Sequence, residues 1–161
     1  PLERSVRASA LFTALVLVAQ LLLGGLVSSR GAGLACLSFP TCDGVSFVPS
    51  WSGLIGLQIV HRLNGCLLLG AFVCFAWLSR ATPRVHRLAF AGVRLVLLQI
   101  LVGALNVWLQ LKVEVTALHT AFAASLALIV GLALREVFRG ARARRASTAG
   151  ATREWEAPQT A

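Results

Sequence analysis

GLIGLQIVHRLNGCLLLGAFVCFAWL, running from Gly53 to Leu78, is long and apolar enough to cross a bilayer as one helix, yet it carries His61 and Arg62 at membrane depth. Ionisable groups in such a segment are costly and call for a partner or a function. A second apolar stretch holds His119 in Val115-Thr116-Ala117-Leu118-His119. The 161-residue chain is 57% hydrophobic and only 13% charged, with a mean hydropathy of +0.79. Its charges gather in short blocks between long apolar runs, which excludes a soluble domain with polar helix faces. Four spans are expected, Ser9 to Val27, Gly53 to Leu78, Leu88 to Gln110 and Val115 to Leu134. The fold class is therefore an all-α integral membrane protein, a four-transmembrane-helix bundle over residues 1–145 with an external loop at 28–52. Residues 146–161 read as a disordered cytoplasmic tail.

Arginine sets the orientation, because basic loops stay cytoplasmic. Arg4 and Arg7 precede the first span, Arg80, Arg84 and Arg87 separate the second from the third, and Arg135, Arg139, Arg142, Arg144, Arg145 and Arg153 follow the fourth. Only Arg30 and Lys112 fall on the other side. Both termini are thus expected in the cytoplasm of a cell-membrane protein, and the net charge of +9 marks topology and contact with anionic lipid, not nucleic acid. The first run is longer than a signal peptide's apolar core and is read as a retained span. Since the chain has no methionine, its start is expected to have been removed or to lie upstream of Pro1.

In this topology the second and fourth spans run in the same direction, with His61 and His119 at similar depth. Paired imidazoles on facing helices can hold haem iron. The plainer alternative is that each histidine bonds a neighbouring helix. Arg62 is placed to meet a haem propionate, or else snorkels to the headgroups. The chain also repeats itself. Gln20-Leu21-Leu22-Leu23-Gly24-Gly25-Leu26 aligns with Gln99-Ile100-Leu101-Val102-Gly103-Ala104-Leu105, so the bundle reads as two repeated helix pairs about an axis along the membrane normal, each pair delivering one histidine. The glycines also suit close helix packing alone.

The external loop carries Cys36-Leu37-Ser38-Phe39-Pro40-Thr41-Cys42. A disulfide and a redox-active thiol pair both fit this spacing. Phe39, Phe47 and Trp51 give the loop an apolar side, suiting a lid or an interfacial anchor. Cys66 and Cys74 are expected to be small packing residues, and His86 to be solvated.

Several of these segments together resemble haem A synthase: Gly24-Gly25-Leu26-Val27 leading into Gly31-Ala32-Gly33-Leu34, then Phe39-Pro40-Thr41-Cys42-Asp43-Gly44, Gln58-x-x-His61-Arg62, Leu101-Val102-Gly103-Ala104-Leu105-Asn106 and Val115-Thr116-Ala117-Leu118-His119. The resemblance covers roughly residues 9 to 134. It implies a membrane oxidoreductase of cytochrome oxidase assembly that takes haem O and oxidises a ring methyl to the formyl group of haem A. His61 and His119 would then be the axial ligands of the haem iron, with haem B as a further haem of the family, and Cys36 and Cys42 would match its outer-loop cysteine pair.

Two departures qualify the likeness. Family members typically hold two such bundles in one chain, so this sequence implies a homodimer, a fragment, or a protein that binds haem without completing the reaction. In addition, Gln58 stands where the catalytic half of the family tends to carry a glutamate, and a neutral amide cannot serve as a general base. Gln58, His61 and His119 are the candidate catalytic residues, and His61, Arg62 and His119 the candidate haem-binding ones. The alternative function is a non-catalytic di-histidine haem protein, either an electron-transfer cytochrome or a haem carrier or assembly factor. Expected partners are haem O, membrane lipid, a second copy, and haem O synthase or cytochrome oxidase.

Overall fold

The computed structural model describes the backbone of residues 2–156 and, within it, the side chains of residues 4–139. Four long helices, α1 (Leu2–Ser29), α2 (Gly53–Leu78), α3 (Pro83–Trp108) and α4 (Val113–Glu156), make up the molecule, with one short 3-10 turn at Ala32–Leu34 and no strand among the described residues. All four are long and apolar enough to cross a membrane. Helix α1 packs on α2 and α4, and α3 packs on α4 and α2. The helices therefore form a ring in which α2 and α4 stand on one diagonal.

Helix α2 coincides with its expected span, whereas α1 and α4 run beyond theirs at both ends and α3 at its start, because local chemistry, not hydropathy, sets these ends. Helix α1 stops at Gly31, whose φ of 66° is the left-handed conformation that glycine adopts without penalty. Helix α3 starts with Pro83 in its first turn, where a missing N–H costs nothing. It closes through Gln110 and Leu111, both at positive φ, with Leu111 N–H donating to the Asn106 carbonyl at 2.7 Å. Leu111 lies against Gly33, where an added Cβ would sit 3.0 Å from its Cδ1. The α3–α4 turn is thus docked on the start of the long loop. Helix α4 continues through residues 146–156, where the composition suggested a disordered tail. No proline interrupts that stretch, whereas residues 157–161 lie outside the described residues. His86 also departs from expectation. Its Nδ1 lies 2.9 Å from the Ala76 carbonyl at the end of α2, and its ring stacks on Phe90, so it caps a helix instead of standing free in solvent.

The repeat seen at Gln20 and Gln99 extends through the whole core. At constant offset, Ala10 matches Ala89 and Leu17 matches Val96 between α1 and α3, while Leu68 matches Leu126 and Phe72 matches Val130 between α2 and α4. All eight are buried. Each helix pair therefore turns the same stripe inward. One cluster, with Phe75, Val85 and Val137, fills the end near the α2–α3 turn. A second, built on Phe72, Leu68, Val96 and Leu126, fills the middle. A third, of Cys36, Cys42 and Ile59, lies under the long loop. The level between the second and third clusters is occupied by polar side chains and glycines.

Candidate haem site

That polar level is where the repeat places its histidines. His61 and Leu68 lie two helical turns apart on α2, as do His119 and Leu126 on α4, so both imidazoles sit one layer above the mid-bundle core. The two rings are close enough to interact electrostatically. Each rests on a glycine of the preceding helix. A Cβ added at Gly24 would lie 3.3 Å from His61 Cε1, and one added at Gly103 would lie 3.3 Å from His119 Cε1. The glycines thus do more than bring helices together. They leave the space in which the imidazole rings lie.

Around each ring the repeat supplies a glutamine, with different results. Gln20 Nε2 lies 3.4 Å from His61 Nδ1, while its Oε1 accepts from Asn64 Nδ2 at 2.8 Å. Gln99 instead donates to the backbone carbonyl of His119 at 2.9 Å. Its Oε1 and His119 Nδ1 are both buried without a hydrogen-bond partner. A buried polar atom left alone usually marks a missing water or ligand, and metal-bound imidazoles employ their second nitrogen in such contacts. The arrangement suits a flat macrocycle held between α2 and α4: two imidazoles at one level, each against a glycine, with unused polar capacity behind one.

Arg62 is engaged with the long loop. Its Nη1 donates to the Thr41 carbonyl at 3.1 Å and its Nη2 to the Cys36 carbonyl at 3.3 Å, and the guanidinium lies 5.6 Å from the Phe39 ring centre. It clasps the long loop onto the helix that carries His61. The sulfur atoms of Cys36 and Cys42 lie 2.07 Å apart, closing the clasped segment. Beyond it, Asp43 Oδ1 accepts the backbone N–H groups of Ser46 and Val45, and these bonds hold its carboxyl below the usual carboxylate range. Arg62→Ala is expected to leave helix content unchanged while amide exchange in residues 36–42 rises at least about tenfold, since two charge-assisted bonds are lost. Unchanged exchange there would show that the clasp carries no weight.

Gln58 is buried one turn from His61. It donates to the Gly33 carbonyl at 3.4 Å, and its Oε1 has no partner. Its repeat counterpart, Thr116, donates to Asn106 Oδ1 at 2.9 Å, joining the Thr-Ala-Leu-His and Gly-Ala-Leu-Asn segments across α3 and α4. The position matching Asn106 is Val27, which offers Gln58 no such acceptor, so its amide turns to the loop. Cys66 and Cys74 are free thiols on the outer surface of α2 and not core packing residues. The sequence reading missed Gln20 and Gln99 as partners of the histidines, although both stand at the head of the repeat, and Asn64 as the partner of Gln20.

Residues 1–130 match the sequence profile of a family described as cytochrome oxidase assembly protein. The chain is 32% identical over 146 residues to haem A synthase of Symbiobacterium thermophilum, a match covering 86% of this chain and 47% of that protein. It is 33% identical over 142 residues to haem A synthase of Methylobacterium nodulans, covering 73% and 39%, and 27% identical over 128 residues to haem A synthase of Rickettsia massiliae, covering 71% and 38%. Each match spans less than half the length of the relative. No solved structure matches the chain.

Proposed function

As the chain belongs to the cytochrome oxidase assembly protein family, we propose that it is a haem A synthase-like membrane oxidoreductase acting on the ring methyl of haem O. The observation that carries this reading is the matched pair of imidazoles, each facing a glycine on which an added Cβ would lie at the same 3.3 Å from the ring. His61 and His119 hold the substrate haem through its iron, from helices on one diagonal of the ring. The bound haem supplies the redox-active iron, and the chain supplies position and electrostatics. Gly24 and Gly103 set how far each ring reaches inward. Arg62 fixes the Cys36–Cys42 disulfide loop over the site on the outer side of the membrane, and its remaining N–H donors would be available to a haem propionate. Both termini face the cytoplasm. Two copies of the chain pair to provide the two bundles of a full-length relative, with haem O synthase supplying substrate and cytochrome oxidase receiving product.

One observation favours a second reading, a haem protein that binds without oxidising. Gln58 is neutral, buried and tied to the loop, and no Asp or Glu occurs between Gly53 and Val113. A carboxylate base for the methyl oxidation must therefore come from outside α2 and α3. Mass analysis of haems extracted from the protein purified out of cells that make haem O distinguishes the two. Haem A or its hydroxylated precursor, absent from a His61→Ala control, supports the synthase; unmodified haem alone supports the second reading. In that second case Gln58→Glu is expected to raise oxidised haem at least about tenfold, and no gain would remove the missing carboxylate as the reason for inactivity.

A further inference from the structure

The two histidines are matched in place but not in hydrogen bonding, and the difference can be traced atom by atom. The Val16 carbonyl can only accept, so Asn64 must present its NH2 end to it, at 3.1 Å. The same nitrogen donates to Gln20 Oε1 at 2.8 Å. Gln20 is thereby turned with its own NH2 toward His61 Nδ1 at 3.4 Å. A nitrogen facing a donor must be the acceptor, so the neutral His61 ring carries its proton on Nε2. A protonated nitrogen has no lone pair for a metal. Coordination through His61 Nε2 therefore requires the proton to move to Nδ1, where it meets the Gln20 N–H head on, or requires Gln20 to swing away from Asn64.

His119 has no such opponent. Gln99 spends its N–H on the His119 backbone carbonyl, and nothing donates to His119 Nδ1. A proton can rest on Nδ1 there and leave the Nε2 lone pair free. The cause lies in two residues. Gln20 lies over Gly65, where an added Cβ would sit 3.4 Å from its Nε2, and it is anchored by Asn64. The matching positions in α4 are Phe122 and Ala123. The first offers a phenyl ring and no amide to anchor a glutamine, and the second carries a Cβ where Gly65 leaves room.

We propose that Gln20 and Asn64 are positioning residues that make His61 the displaceable ligand of a bound haem and leave His119 as the permanent one. This rests on the haem-binding reading above. It gives the duplicated site a built-in asymmetry: one histidine keeps the haem, and the other yields its iron position when the iron must open.

Carbon monoxide binds ferrous iron that already has two histidines only by displacing one of them, so its affinity reports the weaker ligand. The protein is purified with its haem, reduced with dithionite and titrated with carbon monoxide. Gln20→Glu offers a carboxylate that accepts from Nδ1–H and so frees the Nε2 lone pair. It is expected to lower carbon monoxide affinity by at least about tenfold, the scale of effects from partners behind a metal ligand. Asn64→Leu releases Gln20 to turn its Oε1 to His61 and is expected to act in the same direction, which keeps the test alive if the first variant folds poorly. His61→Ala is expected to keep its haem as a five-coordinate species, whereas His119→Ala loses it. Equal haem loss from both histidine variants, or carbon monoxide affinity within about twofold of wild type in both Gln20→Glu and Asn64→Leu, overturns the proposal and leaves haem binding intact. Wild-type protein that binds no haem overturns the haem reading and this proposal with it.

Discussion

Gly103→Val will lower the haem retained by the purified protein at least about tenfold without touching either histidine. The Cβ of any side chain at 103 starts 3.3 Å from His119 Cε1, already tight, and the γ carbons of valine fall in the space the imidazole occupies. The ring must then leave its place, and a ligand displaced by about 1 Å forfeits much of its bond. Alanine at the same position should cost far less, because only the tight Cβ contact is added. Gly24→Val is expected to displace His61 in the same manner, but to leave the haem bound through His119 alone. The control is Gly25→Val, adjacent in sequence, where an added Cβ meets nothing within 4 Å. It should keep full haem. Circular dichroism separates loss of haem from loss of helix. Full haem in Gly103→Val would mean that the imidazole does not bind from the place it occupies here.

The second large effect concerns folding. At Gly92 on α3 an added Cβ would run into the ring of Phe72 on α2, which is fully buried. The matching positions across the repeat are Thr13 and Val130, both buried, so one interface pairs a large residue with none and the other pairs two of middling size. Within lipid, helices associate through close packing, not through exclusion of water. Gly92→Thr should therefore destabilise the bundle by about 3 kcal/mol or more, at or above the top of the usual range for overpacking. Adding Phe72→Val recreates the pairing of the other half and should recover most of that loss, read as resistance to unfolding by sodium dodecyl sulfate. Failure of the second change to rescue the first would show that the repeat does not extend to packing.

Much of this was legible in the chain. The four helices follow from apolar runs such as 53–78, and the shared level of His61 and His119 follows from their place in those runs. The internal repeat was visible at Gln20 and Gln99 because polar residues stand out in apolar sequence. Its continuation through Leu17 and Val96 or Phe72 and Val130 was hidden, since apolar residues exchange for one another at little cost. Arg62 shows where spacing runs out. Its position next to a ligand suggested a propionate and gave no sign that its side chain also reaches two loop carbonyls, whose location depends on how the whole loop folds back. Asn64 and Gly65 were unremarkable as letters. Their weight appears only when the α4 counterparts, Phe122 and Ala123, are seen to leave Gln99 without the same anchor.

One haem between α2 and α4, ligated by both His61 and His119, underlies every expectation about the site. It is tested by the low-temperature electron paramagnetic resonance and visible spectra of the oxidised protein, purified from haem O-producing cells, alongside the His61→Ala/His119→Ala double variant. The wild type should give a low-spin signal from two nitrogen ligands, and the double variant should be folded and colourless. A wild type without haem, or a double variant that keeps the same low-spin signal, would contradict the assignment of these two histidines.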